Sequence, residues 1–310
     1  MGLGLGISVD WASLVPYYAK VASAFAARVK ADGGTVENTA CLKKDLKVLS
    51  PTPPPAFTGL LNTYSGAAAA YSLRLLNNAY SGNAIKVRRS SDNAERDIAF
   101  TNNELDTASL ETFASGTDAF VTTWYDQSGS GNDATQTTAS VQPKIVQSGS
   151  VLLLNSKPAI DPSGDAQLNL SALSLNGNFN ITNVSDFNDT GMPYGGAGGH
   201  FVYFTTTTQV RYRLSGVTFN YTVPTMVDGD QLLMNINRSG NNMNYRHLGS
   251  EISTLIDANP IEVFVIDRLF TGNGSLNGPI ANQEIIIWNS DQSSNRTDIE
   301  TNINDFYSIY

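Results

Sequence analysis

Short apolar runs separated by polar turns dominate the chain after residue 56, and they constrain its fold most. The runs are rich in β-branched and aromatic residues, and Gly, Asn, Asp and Ser cluster between them. Long helical patterns do not separate them, which argues against a parallel α/β sheet. We therefore predict a mainly β fold of packed antiparallel sheets with jelly-roll connections. The predicted strands lie at 84–89, 119–125, 151–154, 200–204, 210–214, 231–236, 261–266 and 284–288.

Two helical patterns interrupt these strands. One covers about 105–114, with Asn103 as its candidate N-cap. The other closes the chain after Ser293 or Ser294. Its apolar face is predicted to carry Ile299, Ile303, Phe306 and Tyr310.

Residues 1–50 have a different pattern. Apolar residues recur at helical spacing, so we predict a helical arm in which residues 10–49 are a candidate hairpin of two helices. Four prolines within 51–55 then form an extended spacer, which places the sandwich domain at 56–310. Two helices alone bury little surface, so the arm either docks on a partner or packs on the sandwich. The docking hypothesis uses Trp11, Tyr18, Phe25 and Val29.

The distribution of charge limits the classes of partner. The formal net charge is −9, yet residues 1–50 carry six Lys/Arg against four Asp/Glu. The remainder is therefore near −11 and should repel nucleic acid. Cys41 is the only cysteine, so no disulfide can form within the chain. The apolar stretch at 1–9 is too short to span a membrane, and we expect no membrane anchor.

Three segments resemble the opening of the catalytic domain of arabinofuranosidase B enzymes. They lie at 71–82, 85–93 and 124–136, and the most specific element reads Tyr-Asp-Gln-Ser-Gly-x-Gly-Asn. The resemblance implies a concanavalin A-like sandwich. The element itself is typical of a strand that ends in a tight Gly-rich turn. Its predicted turn residues are Trp124, Tyr125, Asp126, Gln127, Gly129 and Asn132.

The end of the chain has a second resemblance. Residues 278–304 are similar to the last strand and closing helix of laminin-G-like domains, including many in bacteriophage structural proteins. This similarity implies a virion protein, such as a head fibre, decoration or tail-associated subunit. The expected partners are other virion proteins, further copies of the chain and host surface glycans, and the expected location is the virion.

The enzyme interpretation depends on two carboxyl groups, since retaining glycosidases hold them about 5–5.5 Å apart. The resemblance places the nucleophile near Gly199 and His200, where no acid occurs between Asp189 and Asp228. It places the acid/base residue within 271–278, where Asn273 cannot transfer a proton as a carboxyl group does. The acids flanking this region are Glu262, Asp267 and Glu284. We therefore predict that the chain is not an enzyme.

Other chemistries find little support in the sequence. His200 and His247 are too few for a His-rich metal site, and Cys41 has no nearby histidine. We expect no metal and no cofactor. The alternative to a virion protein is a secreted carbohydrate-active protein, either an arabinofuranosidase-like hydrolase or a glycan-binding module. The module would contact glycans through Tyr194, Tyr212, Tyr221 and Tyr245.

Overall fold

Two large antiparallel sheets and two small two-stranded sheets make up the β-structure in the part of the chain that the computed structural model describes. This part comprises residues 57–162, 164, 166–187, 191–214, 216–257, 263–270 and 280–310. The predicted arm at 1–50, its docking residues Trp11, Tyr18, Phe25 and Val29, and the spacer at 51–55 lie outside it. Residues from Phe57 to Tyr310 form one compact unit.

Twenty-two strands build the sheets, and many are short. In the first half they are β1 (Ala67–Ser72), β2 (Ile85–Arg89), β3 (Glu95–Ile98), β4 (Phe100–Thr101), β5 (Glu104–Leu105), β6 (Ala119–Trp124), β7 (Ala134–Thr135), β8 (Lys144–Gln147), β9 (Ser150–Val151), β10 (Leu153–Leu154) and β11 (Lys157–Pro158). In the second half they are β12 (Leu168–Leu175), β13 (Phe179–Asp186), β14 (Tyr194–Gly196), β15 (His200–Thr206), β16 (Gln209–Leu214), β17 (Val217–Thr222), β18 (Gln231–Ser239), β19 (Asn242–His247), β20 (Ser250–Ile256), β21 (Phe264–Leu269) and β22 (Asn282–Trp288).

Strands β4 and β5 pair with each other, as do β10 and β11, and the smaller of the two large sheets has six strands in the order β1-β22-β13-β18-β19-β20. The larger has twelve, with the main order β17-β16-β15-β14-β21-β12-β7-β6-β2-β3 and β8 and β9 attached beside β6. Non-sequential neighbours such as β1 with β22 give the jelly-roll-like connections of a sandwich. The predicted fold class is thus confirmed.

Alternation of side chains places the core between the sheets. In β16 the even-numbered residues are buried and the odd-numbered ones are half-buried, as expected for a strand with one face on the core. Trp124 lies in this core, stacked on Phe270 with ring centroids 6.1 Å apart and tilted against Tyr71 at 5.8 Å. Large aromatic side chains thus fill much of the space between the sheets.

Three α-helices complete the described fold. They are α1 (Leu60–Thr63), α2 (Thr107–Ala114) and α3 (Arg296–Tyr307), with a 3₁₀ turn at Ala139–Val141. The N-cap of α2 is Asp106, whose carboxylate accepts from the Ser109 amide at 3.0 Å. The prediction of Asn103 as the N-cap is wrong. Asn103 occupies the β4–β5 turn with φ of 66°, a left-handed conformation that asparagine tolerates.

Helix α3 covers the outer surface of the six-stranded sheet. Ile299, Ile303 and Tyr307 are buried against a cluster that includes Val184 and Leu233. The helix starts after Asn295 and not after Ser293 or Ser294, and it ends at Tyr307 because Ser308 turns left-handed. Its buried face therefore uses Tyr307, whereas the predicted Tyr310 lies beyond the helix and is exposed.

Candidate functional site

The surface of the twelve-stranded sheet that points away from the core, here called the free face, is the candidate site. Directly opposed residues of neighbouring strands share a face, so the register defines one row of side chains across it. The row reads Thr218, Arg213, Phe201, Gly195, Arg268, Asn169, Thr135, Thr123, Lys86 and Asp97. Apart from Phe201 and Gly195, these residues are half-buried or exposed. The free face is therefore mostly polar and accessible.

Aromatic and arginine side chains meet on β15 and β16. The Phe201 and Tyr203 rings make an edge contact with centroids 6.3 Å apart, and the Arg213 guanidinium lies over Phe201 at 5.7 Å. Arg211 is opposite Tyr203, and its Nε donates to Asn220 Oδ1 at 2.9 Å. We call these five residues the arginine–aromatic patch. Phe201 is 5% exposed and Tyr203 is half-buried, so Tyr203 is the ring that a ligand can reach.

A glycine-rich turn borders the patch and is fixed by Asp267 at β21. Asp267 accepts from the Ala197 amide at 3.0 Å and from Arg268 Nε at 2.7 Å. A Cβ on Gly196 would lie 2.3 Å from the Val265 carbonyl oxygen, so only glycine permits the close approach of β14 to β21. One oxygen of this carboxylate thus positions the turn, and the other pairs with the neighbouring Arg268.

The free face lacks a carboxylate where the resemblance places the nucleophile. Strands β14 to β17 fall within the interval between Asp189 and Asp228 that contains no acid. Asp267 is the nearby acid among the described residues of β21, while Glu262 and the segment 271–278 with Asn273 lie outside them. Glu284 is buried in the other sheet and is bonded to Arg74 and Ser72 at 2.7 Å. It therefore stabilises the fold and does not face this site.

Asp126 holds the turn motif at 124–132 against the first strand, β1. Its carboxylate accepts from the Ala70 amide at 2.8 Å, the Ser128 amide at 2.9 Å and the Asn132 amide at 3.1 Å, and it is 4% exposed. The Asn132 side chain donates to the Ala68 carbonyl at 2.8 Å. These bonds join the twelve-stranded sheet to β1 of the other sheet, which is a structural role.

The remaining motif residues, like Asp126, are buried, bonded within the protein or required by the turn. Gln127 is 1% exposed; its side chain accepts from the Leu76 amide and donates to the carbonyls of Ser72 and Arg74. Trp124 is fully buried, and the Tyr125 hydroxyl donates to Asp97 at 2.7 Å. Gly129 has φ of 86°, a value that favours glycine. None of the motif residues forms part of the row on the free face, although Tyr125 bonds to Asp97, which does.

The four tyrosines predicted to contact glycans are buried in the core. Tyr194, Tyr212, Tyr221 and Tyr245 are each 0% exposed. The hydroxyls of Tyr194 and Tyr212 lie 3.2 Å apart, and that of Tyr221 donates to the Met243 carbonyl at 2.9 Å. Burial raises the pKa of all four hydroxyls. Such burial is incompatible with contact to a glycan on the surface, so their assignment as contact residues is corrected to core packing.

Both histidines are also buried. His200 packs near Phe264 with ring centroids 6.0 Å apart. The Tyr245 hydroxyl lies 3.2 Å from His247 Nδ1, and burial lowers the pKa of His247 to about 4. Within the described ranges, no group of three or more His, Cys, Asp or Glu residues could hold a metal ion, and no helix is long and apolar enough to cross a bilayer.

A polar depression of about 250 Å³ lies elsewhere, beside α3. Arg74, Glu104, Asn302 and Phe306 are among its lining residues. The Arg74 guanidinium donates to both oxygens of Glu284 and to Asn302 Oδ1 at 3.0 Å, while Glu104 pairs with Lys157 at 3.0 Å. Because its charged groups already pair within the protein, this depression offers a ligand fewer interactions than the free face.

The comparisons with known proteins match part of the chain to one family model and its fold to solved arabinofuranosidases. The family model "Alpha-L-arabinofuranosidase B, catalytic" matches residues 62–153. A GH54 α-L-arabinofuranosidase soaked with a cyclic sulfate inhibitor has a TM-score of 0.63 at 18% identity, and an arabinofuranosidase complexed with arabinofuranosyl-α-1,2-xylobiose has 0.62 at 16%. The described chain shares the fold of these arabinofuranosidases. The matches cover 76% of this chain and 62% of theirs. The chain has no match among curated proteins.

The virion interpretation is therefore overturned. The matching family model is that of an arabinofuranosidase B catalytic domain, and this finding supports the alternative of a carbohydrate-active protein. The misleading signal was the similarity of the ending at 278–304 to laminin-G-like domains, because a shared fold does not imply a shared function.

Sequence reasoning missed the residues of the arginine–aromatic patch. The run Val-Arg-Tyr-Arg-Leu at 210–214 alternates apolar and basic residues. That two-residue period already separates Tyr212 from its arginine neighbours, and it is the signal that could have located Arg211 and Arg213 on the surface.

Proposed function

We propose that the chain is a glycan-binding protein on an arabinofuranosidase-like sandwich and that it does not hydrolyse arabinofuranosides. The observation that carries the proposal is the composition of β15. The resemblance places the family's nucleophile on this strand, yet the strand has no acid and instead presents Phe201 and Tyr203 to the free face. Aromatic rings bind the apolar faces of sugars while neighbouring polar groups bind hydroxyls.

A binding assay combined with a turnover assay tests this proposal. We expect the protein to be retarded in a native gel that contains arabinan, yet to release no arabinose from aryl arabinofuranosides above buffer. Tyr203→Ala should weaken retardation roughly tenfold, as loss of a central aromatic contact does. Tyr310→Ala is the matched control, because Tyr310 is 53% exposed at the end of the chain after α3. Equal effects of the two substitutions would contradict the assignment of the site.

Hydrolysis is the second candidate function, and two observations favour it. The matching family model is that of a catalytic domain, and the pKa of Asp186 is raised to about 7, mainly by burial. A carboxylic acid with such a pKa can act as a general acid near neutral pH. Arabinose release that is lost in Asp186→Asn or Asp267→Asn would establish this function and refute the first.

A further inference from the structure

We propose that the arginine–aromatic patch selects polysaccharides that carry carboxylate groups, that is, uronic acid polymers. The inference rests on the proposed glycan-binding function and specifies its ligand class. Arg211 and Arg213 bind the carboxylates, and Tyr203 provides the adjacent surface for the sugar ring.

The contrast in charge across the molecule supports an anionic ligand. Residues 57–310 carry thirteen Lys/Arg and twenty-four Asp/Glu, a formal charge of −11. On the free face, β14 to β17 and β21 instead bring together Arg211, Arg213 and Arg268 against one carboxylate, Asp267. Because the acidic body repels polyanions, a polyanion can bind only where positive charge is concentrated locally, as it is at these arginines.

Arg211 and Arg213 have charges that the described protein does not neutralise. Among the described residues, no carboxylate lies within ion-pair distance of either guanidinium, whereas Arg268 pairs with Asp267 at 2.7 Å. Arg211 donates to the neutral side chain of Asn220, and the Arg213 guanidinium lies over the ring of Phe201. Contacts of this kind hold the arginine side chains in position and leave their charge for a ligand.

The geometry suits a polymer of acidic sugars. Arg211 and Arg213 are two residues apart on β16 and point to the same face, so their Cα atoms are about 6.5–7 Å apart. Each guanidinium can bind a carboxylate through two parallel hydrogen bonds. Tyr203 is directly opposite Arg211 on β15. One sugar ring on Tyr203 can thus place its carboxylate on an arginine, which a neutral arabinan cannot do.

Binding of polygalacturonate to the 310-residue chain tests the inference. The matched ligand is the same polymer after chemical reduction of its carboxylates to alcohols. We expect the reduced polymer to bind at least tenfold more weakly. The double variant Arg211→Gln/Arg213→Gln should lose at least tenfold in affinity for polygalacturonate, and this loss should be several-fold larger than its loss for arabinan, because glutamine can bond sugar hydroxyls but has no charge for a carboxylate. The variant Arg211→Lys/Arg213→Lys retains the charge but not the paired hydrogen bonds, and should lose an intermediate amount.

A second double variant controls for net charge. Arg89→Gln/Arg96→Gln removes two positive charges from the same sheet but outside the patch, since Arg89 pairs with Asp92 and Arg96 lies on the edge strand β3. It should bind polygalacturonate like the unmodified protein. Melting temperatures of all variants should be close to that of the unmodified protein, because the substituted side chains are not in the core.

Four outcomes would overturn the inference. If the reduced polymer binds as tightly as polygalacturonate, or if the Arg211/Arg213 double variant retains full affinity, the selectivity is wrong although glycan binding stands. If polyglutamate competes as well as polygalacturonate does, the patch recognises charge without sugar. If no glycan binds, neutral or acidic, the proposed function itself fails.

Discussion

Asp186 at the end of β13 is the described carboxyl group whose surroundings most favour its neutral form. Its Oδ1 accepts from the Ala281 amide at 2.7 Å. Burial is the main cause of its raised pKa of about 7, and the charges of Asp161 and Asp228 add to it. A hydrogen bond from one amide does not offset these effects.

The raised pKa of Asp186 predicts a pH-dependent stability. A carboxyl group whose pKa is 3.8 when unfolded and about 7 when folded contributes stability below pH 3.8, and this contribution is lost as the pH rises through 7. Asp186→Asn removes the ionisation and keeps an acceptor for Ala281. It should raise the free energy of unfolding at pH 8 on the order of 2–4 kcal/mol and have little effect at pH 4.

Urea unfolding at the two pH values measures this difference. Asp92→Asn is the matched control, because the exposed Asp92 is bonded to Arg89 and its pKa is lowered to about 2. That variant should gain no stability at pH 8. A gain for Asp186→Asn that is equal at pH 4 and pH 8 would show that packing, and not ionisation, is responsible.

Single residues also show where the sequence alone predicts which side chains face the surface and where it does not. The period of two in 210–214 places Arg211 and Arg213 on one face of β16 and Tyr212 on the other, so the face of β16 that is turned to the surface could be predicted. Phe201 breaks that logic, because it faces outward beside the buried His200 and is itself 5% exposed beneath Arg213. Its position depends on the register with β16, which one sequence does not encode locally.

At the scale of elements, predictions worked best where one face is clearly apolar. Helix α3 shows this, since Ile299 and Ile303 are buried as predicted. Strand β13 was missed because buried polar residues, such as Asn180, Thr182 and Asn183, interrupt its apolar pattern. Asn180 and Thr182 bond with Asn235 of β18 at 3.0 and 2.6 Å. A central strand whose buried polar side chains bond to those of a neighbouring strand has the sequence pattern of a loop.

The cover that α3 forms over the six-stranded sheet predicts the effect of shortening one side chain. Ile303 is fully buried against the cluster that contains Val184 and Leu233. Ile303→Ala should lower the free energy of unfolding by about 2–5 kcal/mol, because the substitution removes buried methyl groups and leaves a cavity.

Denaturant unfolding monitored by circular dichroism measures this loss. Asp305→Ala is the control on the exposed side of the same helix, and it should change stability little. A small effect of Ile303→Ala with an unchanged slope in denaturant would mean that α3 is only loosely packed on the sheet.

At the scale of the whole molecule, fold and function were not equally predictable. The sandwich follows from strand patterns that any such domain requires, so its class could be predicted from the sequence. Function depends on a few side chains on one face, and the same fold carries several activities. The absence of an acid between Asp189 and Asp228 is evident from the sequence alone. Identifying the side chains that form the free face, however, required the register of ten strands.

The pairing of the first strand with the last predicts that the sandwich folds as one unit. Strand β22 is buried at all seven positions and lies between β1 and β13. A chain that stops at Ala281 leaves both neighbours with unpaired backbone groups and removes α3 from the sheet. We expect it to show no cooperative unfolding transition, whereas a chain that starts at Phe57 should keep a single one. Thermal unfolding followed in the near and far ultraviolet measures both. A cooperative transition in the chain that ends at Ala281, or none in the chain that starts at Phe57, would refute this account.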